Sequence, residues 1–332
     1  MQLKNVRLGV IGWGYWGPKL ARNLENLPGV KVTMVADLDE RRLQLLEVSR
    51  GIDATTRPGE VLHSDVDGVI IASPVCTHYQ LAREALTRGK HVLVEKPLTT
   101  SVEEAEHLVE LANQQGLTLM VGHTFEYSPA INELKRLIDQ GDLGKIYCIQ
   151  MERMNLGRVR TDIDVIWDLA PHDISILLYM LGKKPEAVHA HTHAHVQSHL
   201  AEVAHLDLVF AEELYAHIHL SWLYPRKTRR MAVIGDLKSV VYDDTNPTPI
   251  QVYDSGVYVD ANQCIAYRAG AIHVPHIDRT EPLRLECEDF IRAIRTGQRP
   301  RASGDAGLEV VRVLAKVQAA RSHQGAESIC WG

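Results

Sequence analysis

The chain has 332 residues, of which 45% are apolar and 23% charged, with a formal net charge of -6 at pH 7. This length and apolar content are typical of a globular protein with about two domains and ample core. The acidic balance gives no reason to expect a nucleic acid or a membrane surface as partner. No apolar run approaches the length of a membrane span.

The cysteines and the N-terminal sequence indicate the cellular compartment of the protein. An odd number of scattered cysteines without C-x-x-C spacing is typical of free thiols in a reducing compartment, not of a disulfide framework or zinc site. They are Cys76, Cys148, Cys264, Cys287 and Cys330. The N-terminus lacks the charged-then-apolar design of a signal peptide. We therefore expect a cytoplasmic protein.

The segment from Val6 to Asp37 has the pattern of a dinucleotide-binding β–α–β unit. Val6–Ile11 and Val30–Ala36 are short apolar runs, as expected of buried parallel strands. Pro18 opens the helix between them, where its missing N–H costs nothing. The loop before this helix has the form G-x-G-x-x-G and consists of Gly12, Trp13, Gly14, Tyr15, Trp16 and Gly17.

The glycines and the acidic residue of this unit predict NAD binding. Gly12 permits a tight turn, Gly14 lets the backbone approach a pyrophosphate, and Gly17 lets helix and strand pack closely. The helix N-terminus attracts the phosphates. Asp37 accepts the adenosine ribose hydroxyls and repels a 2′-phosphate, which favours NAD over NADP. The basic residues that follow weaken this preference without reversing it; they are Arg41 and Arg42.

The β–α alternation continues to about residue 122 and predicts an NAD-binding Rossmann domain, residues 1–122, with a doubly wound parallel sheet. The predicted helices are Glu40–Val48, Tyr79–Arg88 and Val102–Gln115, and the predicted strands are Val66–Ser73, His91–Val94 and Leu117–Gly122. Ligands bind at the carboxyl ends of such strands. The polar residues expected along that edge are Ser73, His78, Glu95, Lys96 and His123.

Residues 123–332 have a different pattern and predict an α/β domain with a large, mostly antiparallel open sheet. Period-two alternation runs from Glu186 to Asp254. The other predicted elements are the helix Pro129–Gln140, the strand Gly144–Met154, a loop and helix within Trp167–Met180, the helices Leu283–Thr296 and Ala306–Ser322, and a loose tail, Gln324–Gly332. We expect this domain to bind substrate and mediate oligomers, with the C-terminal helix free to pack back on the first domain.

Motifs in a fixed order resemble those of the glucose-fructose oxidoreductase/inositol dehydrogenase/MocA (Gfo/Idh/MocA) family. They are the glycine loop, Glu95-Lys96-Pro97, and Asp168-x-x-x-His172. The resemblance implies a dinucleotide domain, an open-sheet domain that forms dimers or tetramers, and oxidation or reduction of a sugar or polyol carbon. Lys96 and His172 would be the catalytic pair.

Further stretches resemble the nucleotide-sugar branch of this family, namely GHTFEYSPA, MERMNLGRVR, WDLAPHDISILLYMLG, HLSWLYPRK and YRAG. That resemblance implies NAD-dependent oxidation of the 3-hydroxyl of UDP-N-acetylglucosamine. The 3-keto product would feed an aminotransferase in lipid A or surface-polysaccharide biosynthesis. The alternatives are a ketoreductase acting on a keto sugar nucleotide and a non-catalytic NAD-binding regulator. The pairing of Lys96 with His172 argues against the regulator.

Oxidising a secondary alcohol requires a base for the hydroxyl proton. His172 is a candidate, because Pro171 is expected to begin a helix whose dipole keeps a first-turn imidazole neutral. Lys96 stabilises the alkoxide, or takes the proton itself if burial lowers its pKa. Asp168 orients this pair or holds a sugar hydroxyl, and Asp173 is expected to be a first-turn carboxylate.

The remaining candidates are contacts to cofactor or substrate. Ser73, Pro74, His78 and Glu95 resemble the family's residues beside the nicotinamide ribose. His123 and Tyr127 are expected to border the sugar. Basic and polar residues suit a diphosphate, with a solvated loop as the alternative; they are Arg153, Asn155, Arg158, Arg160, Arg226, Lys227, Arg229, Arg230, Tyr267 and Arg268.

A stripe of histidines follows a period of two, which places its members on one face of a strand. They are His189, His191, His193 and His195, and we expect His217 and His219 on a neighbouring strand. No carboxylate or thiol joins the pattern, so we predict no metal site. A polar, pH-sensitive face at a subunit interface is the favoured interpretation.

Overall fold

The computed structural model describes residues 5–44, 46, 51–157, 159–259 and 261–321. These residues form two compact units. Unit 1 lies within Met1–Ser128 and Arg279–Arg312, and unit 2 lies within Pro129–Asp278 and Val313–Gly332. Among the described residues, no helix is both long and apolar enough to cross a membrane.

Unit 1 contains a six-stranded sheet in the order β3-β2-β1-β4-β5-β6. Every neighbouring pair is parallel. The strands are β1 Val6–Ile11, β2 Val30–Ala36, β3 Asp53–Thr55, β4 Gly68–Ile71, β5 His91–Val94 and β6 Leu119–Val121. The central strands are almost wholly buried, as expected of apolar runs covered by helices on both faces. The predicted doubly wound parallel sheet is confirmed.

The helices of unit 1 follow from local signals. They are α1 Gly17–Glu25, α2 Glu40–Leu43, α3 Pro58–His63, α4 His78–Thr87, α5 Val102–Gln115, α8 Pro282–Thr296 and the first part of α9 Gly304–Ala319. The bounds of α5 are those predicted, because Ser101 accepts the Glu104 N–H and Gly116 takes a left-handed conformation (φ 64°) at the end.

Helix α8 packs into the core of unit 1. Leu283 and Phe290 belong to the same buried cluster as Val10 of β1 and Leu20 of α1. The sequence assigns this segment to the second domain, whereas the structure groups residues 279–312 with unit 1. The reason is that local periodicity shows the apolar face of this helix but not the distant residues it packs against, which are those of the unit 1 core.

Unit 2 contains an eight-stranded sheet in the order β14-β13-β12-β11-β7-β10-β9-β8. Its pairs are antiparallel except for β7 with β10, so the predicted mostly antiparallel sheet is confirmed. The strands are β7 Ile146–Leu156, β8 Ala187–His193, β9 Val203–Val209, β10 Tyr215–Ser221, β11 Leu223–Gly235, β12 Ser239–Asp243, β13 Ile250–Val259 and β14 Ile265–His273. Helices α6 Pro129–Asp139 and α7 Val165–Leu181 belong to this unit, with α7 packed against β9 and β10.

Some local predictions differ from the structure. Strand β3 and helix α3 are not predicted, since both are short and β3 is mostly exposed without an apolar run. The helix predicted from Glu40 is observed as Glu40–Leu43, and residues 45, 47 and 48 lie outside the described part of the chain. The predicted tail, residues 324–332, also lies outside it.

Candidate active site

In the glycine loop of unit 1, Gly12 and Gly17 leave no room for a larger residue. Gly12 has a φ of 99°, and a Cβ there would lie 2.5 Å from the Ala72 carbonyl oxygen. A Cβ on Gly17 would lie 2.0 Å from the Gly12 carbonyl oxygen. Gly14 is less crowded, with its nearest neighbour, an Arg42 nitrogen, 3.5 Å from the Cβ position. Helix α1 carries no acidic residue in its first turn. These features fit an approaching pyrophosphate.

Asp37 is fixed at the end of β2. Its carboxylate is 7% exposed and accepts the Trp13 N–H at 2.6 Å and the Asp39 N–H at 2.8 Å. Arg42 Nη1 lies 3.2 Å from the same carboxylate. A carboxylate held in this way beside the glycine loop suits the hydroxyls of an adenosine ribose.

The aromatic residues of the loop surround a lysine. Lys19 Nζ lies 3.4 Å from the centre of the Tyr15 ring and 5.1 Å from that of Trp16. The Tyr15 and Trp16 rings meet edge to face. This arrangement places a positive charge near the start of α1. Contacts of Trp13, Tyr15 and Trp16 with the cofactor stay predictions.

His78 is buried between two loops, which corrects its predicted contact with the cofactor. The side chain is 1% exposed, with Nδ1 2.9 Å from the Pro97 carbonyl oxygen and Nε2 3.0 Å from the Ser73 carbonyl oxygen. Burial lowers the pKa of His78, against the effect of these carbonyls. The ring therefore ties the loop after β4 to the loop after β5, and it orients Ser73 and Pro97. The Ser73 hydroxyl pairs with that of Thr77 at 2.6 Å, and the role of Pro74 stays a prediction.

Glu95, which is half-buried, and His123, which is buried, lie near Lys96 at the carboxyl ends of β5 and β6. A Cβ on Gly122 would lie 3.3 Å from Glu95 Oε2, so the absence of a side chain there makes room for the carboxyl. Burial raises the pKa of Glu95 to about 7, although Lys96 opposes this. Burial and the charge of Lys96 lower the pKa of His123 to about 3. Within the described residues neither ring nitrogen of His123 makes a hydrogen bond. The imidazole is therefore neutral at physiological pH.

Tyr127 is a second corrected prediction. It is 3% exposed, its hydroxyl donates to Asp289 at 2.8 Å, and the same oxygen accepts the Ala302 N–H at 3.1 Å. Both hydrogen-bonding directions of the hydroxyl are thus used inside unit 1. Tyr127 ties the segment after β6 to α8, so its hydroxyl is not available to a sugar.

In unit 2, Asp168 and His172 lie four residues apart on α7, so they share one face of the helix. Asp164 caps this helix by accepting the N–H groups of Ile166 and Trp167. The prediction that Pro171 begins the helix is wrong, since Pro171 lies inside it. His172 is therefore beyond the first turn, and the dipole argument for a neutral imidazole does not hold.

Asp168 is held by a hydrogen bond from Trp222 and an ion pair with Arg160. Trp222, which is almost fully buried, donates its Nε1–H to Asp168 Oδ2 at 3.1 Å. Arg160 Nη1 lies 3.6 Å from Asp168 Oδ1, and Arg160 also pairs with Asp162 through two hydrogen bonds. The carboxylate is consequently fixed in direction, and its contact with a substrate stays a prediction.

Arg153 and Asp173 form a buried ion pair that corrects both of their predicted roles. Arg153 Nε and Nη2 donate to the two Asp173 oxygens, each at 2.8 Å. The side chains are 6% and 3% exposed. Arg153 is thus committed to joining β7 to α7 and is not available to a diphosphate. Asp173 is a buried partner and not a first-turn carboxylate.

The other basic and polar candidates stay predictions. Asn155 is half-buried near the end of β7, whereas Arg226 on β11 and Tyr267 on β14 are exposed. Arg158 lies outside the described residues.

The histidine stripe extends over adjacent strands of unit 2. His191 on β8 pairs with His205 on β9, and His205 pairs with His219 on β10. The His205 and His219 rings stack with centroids 4.2 Å apart. His195 lies beyond the end of β8, so it is not part of the strand face as predicted. Among the described residues, no group of three or more His, Cys, Asp or Glu side chains is arranged to hold a metal ion.

Sequence reasoning missed Trp222, Glu126 and Glu286. Glu286 had a readable signal, because it interrupts the apolar face that Leu283 and Phe290 form at helical spacing. Trp222 and Glu126 carried no comparable signal, since their contacts join residues far apart in the chain.

Comparison with known proteins agrees with this geometry. Residues 6–123 match the oxidoreductase family with an NAD-binding Rossmann fold. Residues 131–241 match the Gfo/Idh/MocA C-terminal domain. Together these matches span most of the chain.

Several relatives match over long stretches. The UDP-N-acetylglucosamine 3-dehydrogenase of Acidithiobacillus ferrooxidans is 29% identical over 95% of this chain and 97% of the relative. One solved structure of that enzyme matches with a TM-score of 0.79 at 28% identity, covering 96% of this chain and 98% of the other. A solved oxidoreductase from Magnetospirillum magnetotacticum has a TM-score of 0.82 at 31% identity, covering 94% and 99%. The NAD(+) scyllo-inositol 2-dehydrogenase of Bacillus subtilis is 32% identical over 56% of this chain and 57% of the relative.

The glycine loop, the fixed Asp37 and the family match confirm NAD as the cofactor. The chain is an NAD-dependent oxidoreductase, and it belongs to the Gfo/Idh/MocA family.

Proposed function

We propose that this protein oxidises the 3-hydroxyl of UDP-N-acetylglucosamine with NAD and yields a 3-keto sugar nucleotide. The observation that carries this proposal is the similarity to a UDP-N-acetylglucosamine 3-dehydrogenase along nearly the full length of both chains. The NAD-binding features of unit 1 and the presence of Lys96, Asp168 and His172 support it.

In the proposed reaction, Lys96 takes the proton of the substrate hydroxyl. Bound NAD accepts the hydride that leaves the same carbon. Lys96 follows β5 directly, and parallel sheets bind ligands at that end of their strands. The half-buried carboxyl of Glu95 lies next to Lys96 in sequence, and the two groups interact electrostatically. We assign Glu95 to the nicotinamide ribose as well.

We assign substrate binding to residues of unit 2. Asp168, which Trp222 and Arg160 hold, accepts a hydrogen bond from a sugar hydroxyl, and His172 orients the reacting alcohol. Arg160 and Arg226 are the candidates for the diphosphate, because guanidinium groups bind phosphate oxygens through paired hydrogen bonds. His123 of unit 1 is a further candidate for contact with the sugar.

The product and the assembly complete the proposal. A 3-keto sugar nucleotide is a substrate for an aminotransferase, which would place the enzyme in lipid A or surface-polysaccharide synthesis. The large sheet of unit 2 is the proposed surface for a dimer or tetramer.

A second candidate is a polyol dehydrogenase. The scyllo-inositol 2-dehydrogenase of Bacillus subtilis is 32% identical, but the match covers only 56% of this chain. The shorter match favours the sugar nucleotide. The reverse reaction, reduction of a keto sugar nucleotide, uses the same residues.

The test is a substrate panel with purified protein and NAD. UDP-N-acetylglucosamine is incubated with a 3-aminotransferase and its amino donor as a product trap, because oxidation of an alcohol by NAD is unfavourable near neutral pH. NADH absorbance and the mass of the 3-amino product are the readouts. Scyllo-inositol and free N-acetylglucosamine are the comparison substrates. NADH formation with scyllo-inositol alone would overturn the proposed substrate.

A Lys96→Ala variant tests the proposed chemistry in the same assay. We expect it to bind NAD like the wild type and to lose turnover by about a hundredfold or more, the range of positioned acid–base groups. A variant that keeps wild-type turnover would overturn the role of Lys96.

A further inference from the structure

Glu202 is a buried acidic residue of unit 2, directly before β9, and it is 0% exposed. Its Oε2 accepts the N–H of His195 at 2.6 Å and that of Val196 at 3.3 Å. Its Oε1 accepts the N–H of Gln197 at 2.7 Å. Three successive backbone donors thus converge on one carboxylate. Neither the proposed chemistry nor the proposed binding of cofactor and substrate uses this residue.

The three donors compensate the burial of the Glu202 charge. Burial raises the pKa of Glu202, but the N–H groups of residues 195, 197 and 196 together lower it by more, so the pKa lies below its ordinary value. A carboxylate that accepts two or three backbone N–H bonds is stabilised in its ionised form. Glu202 is therefore ionised at neutral pH, and its hydrogen bonds to the backbone are charge-assisted.

The segment that Glu202 holds is the connection between β8 and β9, residues 194–201, which we call the Glu202 loop. Most of its side chains are exposed, and Val196 is 67% exposed. Burial of apolar surface therefore contributes little to the conformation of residues 194–199. The hydrogen bonds to the Glu202 carboxylate fix residues 195–197 instead.

Gln197 connects the Glu202 loop to Arg160. Its Nε2 donates to the Arg160 carbonyl oxygen at 2.7 Å, while its backbone N–H is bound by Glu202. Arg160 lies in the segment between β7 and α7. Its guanidinium donates two hydrogen bonds to Asp162 and lies 3.6 Å from Asp168 Oδ1. The position of this guanidinium beside Asp168 therefore depends on the loop that Glu202 orders.

The backbone at residue 202 supports Asp168 from a second side. The Trp222 N–H donates to the Glu202 carbonyl oxygen at 3.0 Å, and the Trp222 indole donates to Asp168. The N–H of Val165, which begins α7, donates to the Ala201 carbonyl oxygen at 3.0 Å. Asp168 lies in the first turn of the same helix. The ion pair and the hydrogen bond that hold Asp168 thus both lead back to the end of the Glu202 loop.

We propose that Glu202 is a positioning residue for substrate binding, because its carboxylate orders the Glu202 loop and thereby keeps Arg160 against Asp168. This inference rests on the proposed function, in which Asp168 accepts a hydrogen bond from a sugar hydroxyl. The role of Glu202 is indirect, since both of its oxygens are buried and bound to backbone donors. Loss of the carboxylate should weaken binding of the sugar and leave NAD binding, whose features lie in unit 1, unchanged.

The test removes the charge of Glu202 with little change in size. Glu202→Gln replaces one acceptor oxygen by an NH₂ group, so at least one N–H of the Glu202 loop loses its partner. Glu186→Gln is the matched control, because Glu186 is an exposed glutamate directly before β8 of the same unit. Gln197→Glu is a second variant in case Glu202→Gln does not fold. It keeps the size of the side chain but has no N–H to donate to the Arg160 carbonyl oxygen.

Steady-state kinetics separate a positioning role from a purely structural one. In Glu202→Gln and in Gln197→Glu we expect the KM for the sugar nucleotide to rise about tenfold, the usual effect of leaving a buried hydrogen-bonding group without its partner. The kcat and the affinity for NAD should stay unchanged. Glu186→Gln should keep the KM of the wild type. A purely structural role would lower the fraction of active enzyme, and with it the apparent kcat, at unchanged KM, and this result would overturn the proposal.

A double-mutant cycle tests whether Glu202 acts through Arg160. Arg160→Met alone should raise the KM, because Asp168 loses its ion pair. In the Arg160→Met background, Glu202→Gln should raise the KM by less than about twofold further, since the guanidinium that the loop positions is already absent. Independent effects, in which the two increases in KM multiply, would show that Glu202 does not act through Arg160 and would overturn the proposal.

A spectroscopic readout separates failure of this inference from failure of the proposed function. The Trp222 indole N–H, which donates to Asp168, gives its own nuclear magnetic resonance signal, which the variant Trp222→Phe identifies by its loss. We expect this signal to shift in Glu202→Gln and to stay in place in Glu186→Gln. An unshifted signal in Glu202→Gln would overturn the role of Glu202 alone. A shifted signal in a protein that oxidises scyllo-inositol and not UDP-N-acetylglucosamine would overturn the proposed substrate alone, and the KM for scyllo-inositol then tests Glu202.

Discussion

The buried Arg153–Asp173 pair gives the sharpest test of the structure. Replacing Arg153 by Met keeps a long apolar stem and removes the charge, which leaves the Asp173 carboxylate without its two hydrogen bonds of 2.8 Å. Both side chains are at most 6% exposed, so solvent does little to compensate the remaining charge. Breaking a buried pair from one side costs about 3–5 kcal/mol. We therefore expect Arg153→Met to destabilise unit 2 by that amount.

Thermal unfolding measures this loss. For units of this size about 1 kcal/mol lowers Tm by roughly 2–4 °C, so Arg153→Met should lower Tm by about 6–20 °C. The matched control is Arg226→Met, which removes an exposed arginine of unit 2 and should change stability by less than about 0.5 kcal/mol. The double variant Arg153→Met with Asp173→Leu removes both charges and should recover most of the loss.

The alternative is the diphosphate-binding role that the sequence suggested for Arg153. On that basis Arg153→Met would keep the Tm of the wild type and raise the KM for the sugar nucleotide. Observation of this pattern would refute the buried-pair reasoning. Equal destabilisation in the double variant would also refute it, because it would show that packing and not charge pairing is responsible.

Other predictions concern the cofactor, the pH dependence and the substrate. Asp37→Ser should raise the ratio of kcat/KM for NADP to that for NAD by about ten- to a hundredfold. The reason is that Arg42, which lies 3.2 Å from the Asp37 carboxylate, becomes available to the 2′-phosphate. An unchanged ratio would contradict this prediction. Burial raises the pKa of Glu126 to about 8, so the folded protein binds this carboxyl's proton more tightly than the unfolded chain does. The resulting contribution to the free energy of unfolding is complete below a pH of about 4.5 and is lost as the pH rises through about 8. Glu126→Gln should therefore stabilise the protein at pH 9 and not at pH 4 in urea unfolding, and equal effects at both would count against the assignment. Trp222→Phe removes the 3.1 Å hydrogen bond to Asp168. The loss of about 1 kcal/mol should lower kcat/KM about fivefold and leave the affinity for NAD unchanged. A loss of NAD affinity instead would indicate a different role for Trp222.

The sequence by itself determined the parts of this protein that depend on neighbouring residues. The bounds of β5 and α5 are the predicted ones, because apolar runs, a serine cap and a terminal glycine act within a few residues. The glycine loop and Asp37 were readable for the same reason, since the backbone turn and the acidic strand end lie within one β–α–β unit. Together they settled the fold and the cofactor.

The tertiary structure decided which polar side chains are available for function. Arg153, His78 and Tyr127 looked like ligand-binding residues, but each is buried with partners that lie far away in the chain. Burial also shifts charge, as in Glu286, where burial raises the pKa of a carboxyl that has no hydrogen-bond partner in the described structure well above its ordinary value. Periodicity shows that a helix face is apolar, but only the packed fold determines which distant residues that face contacts, as for α8 in the core of unit 1.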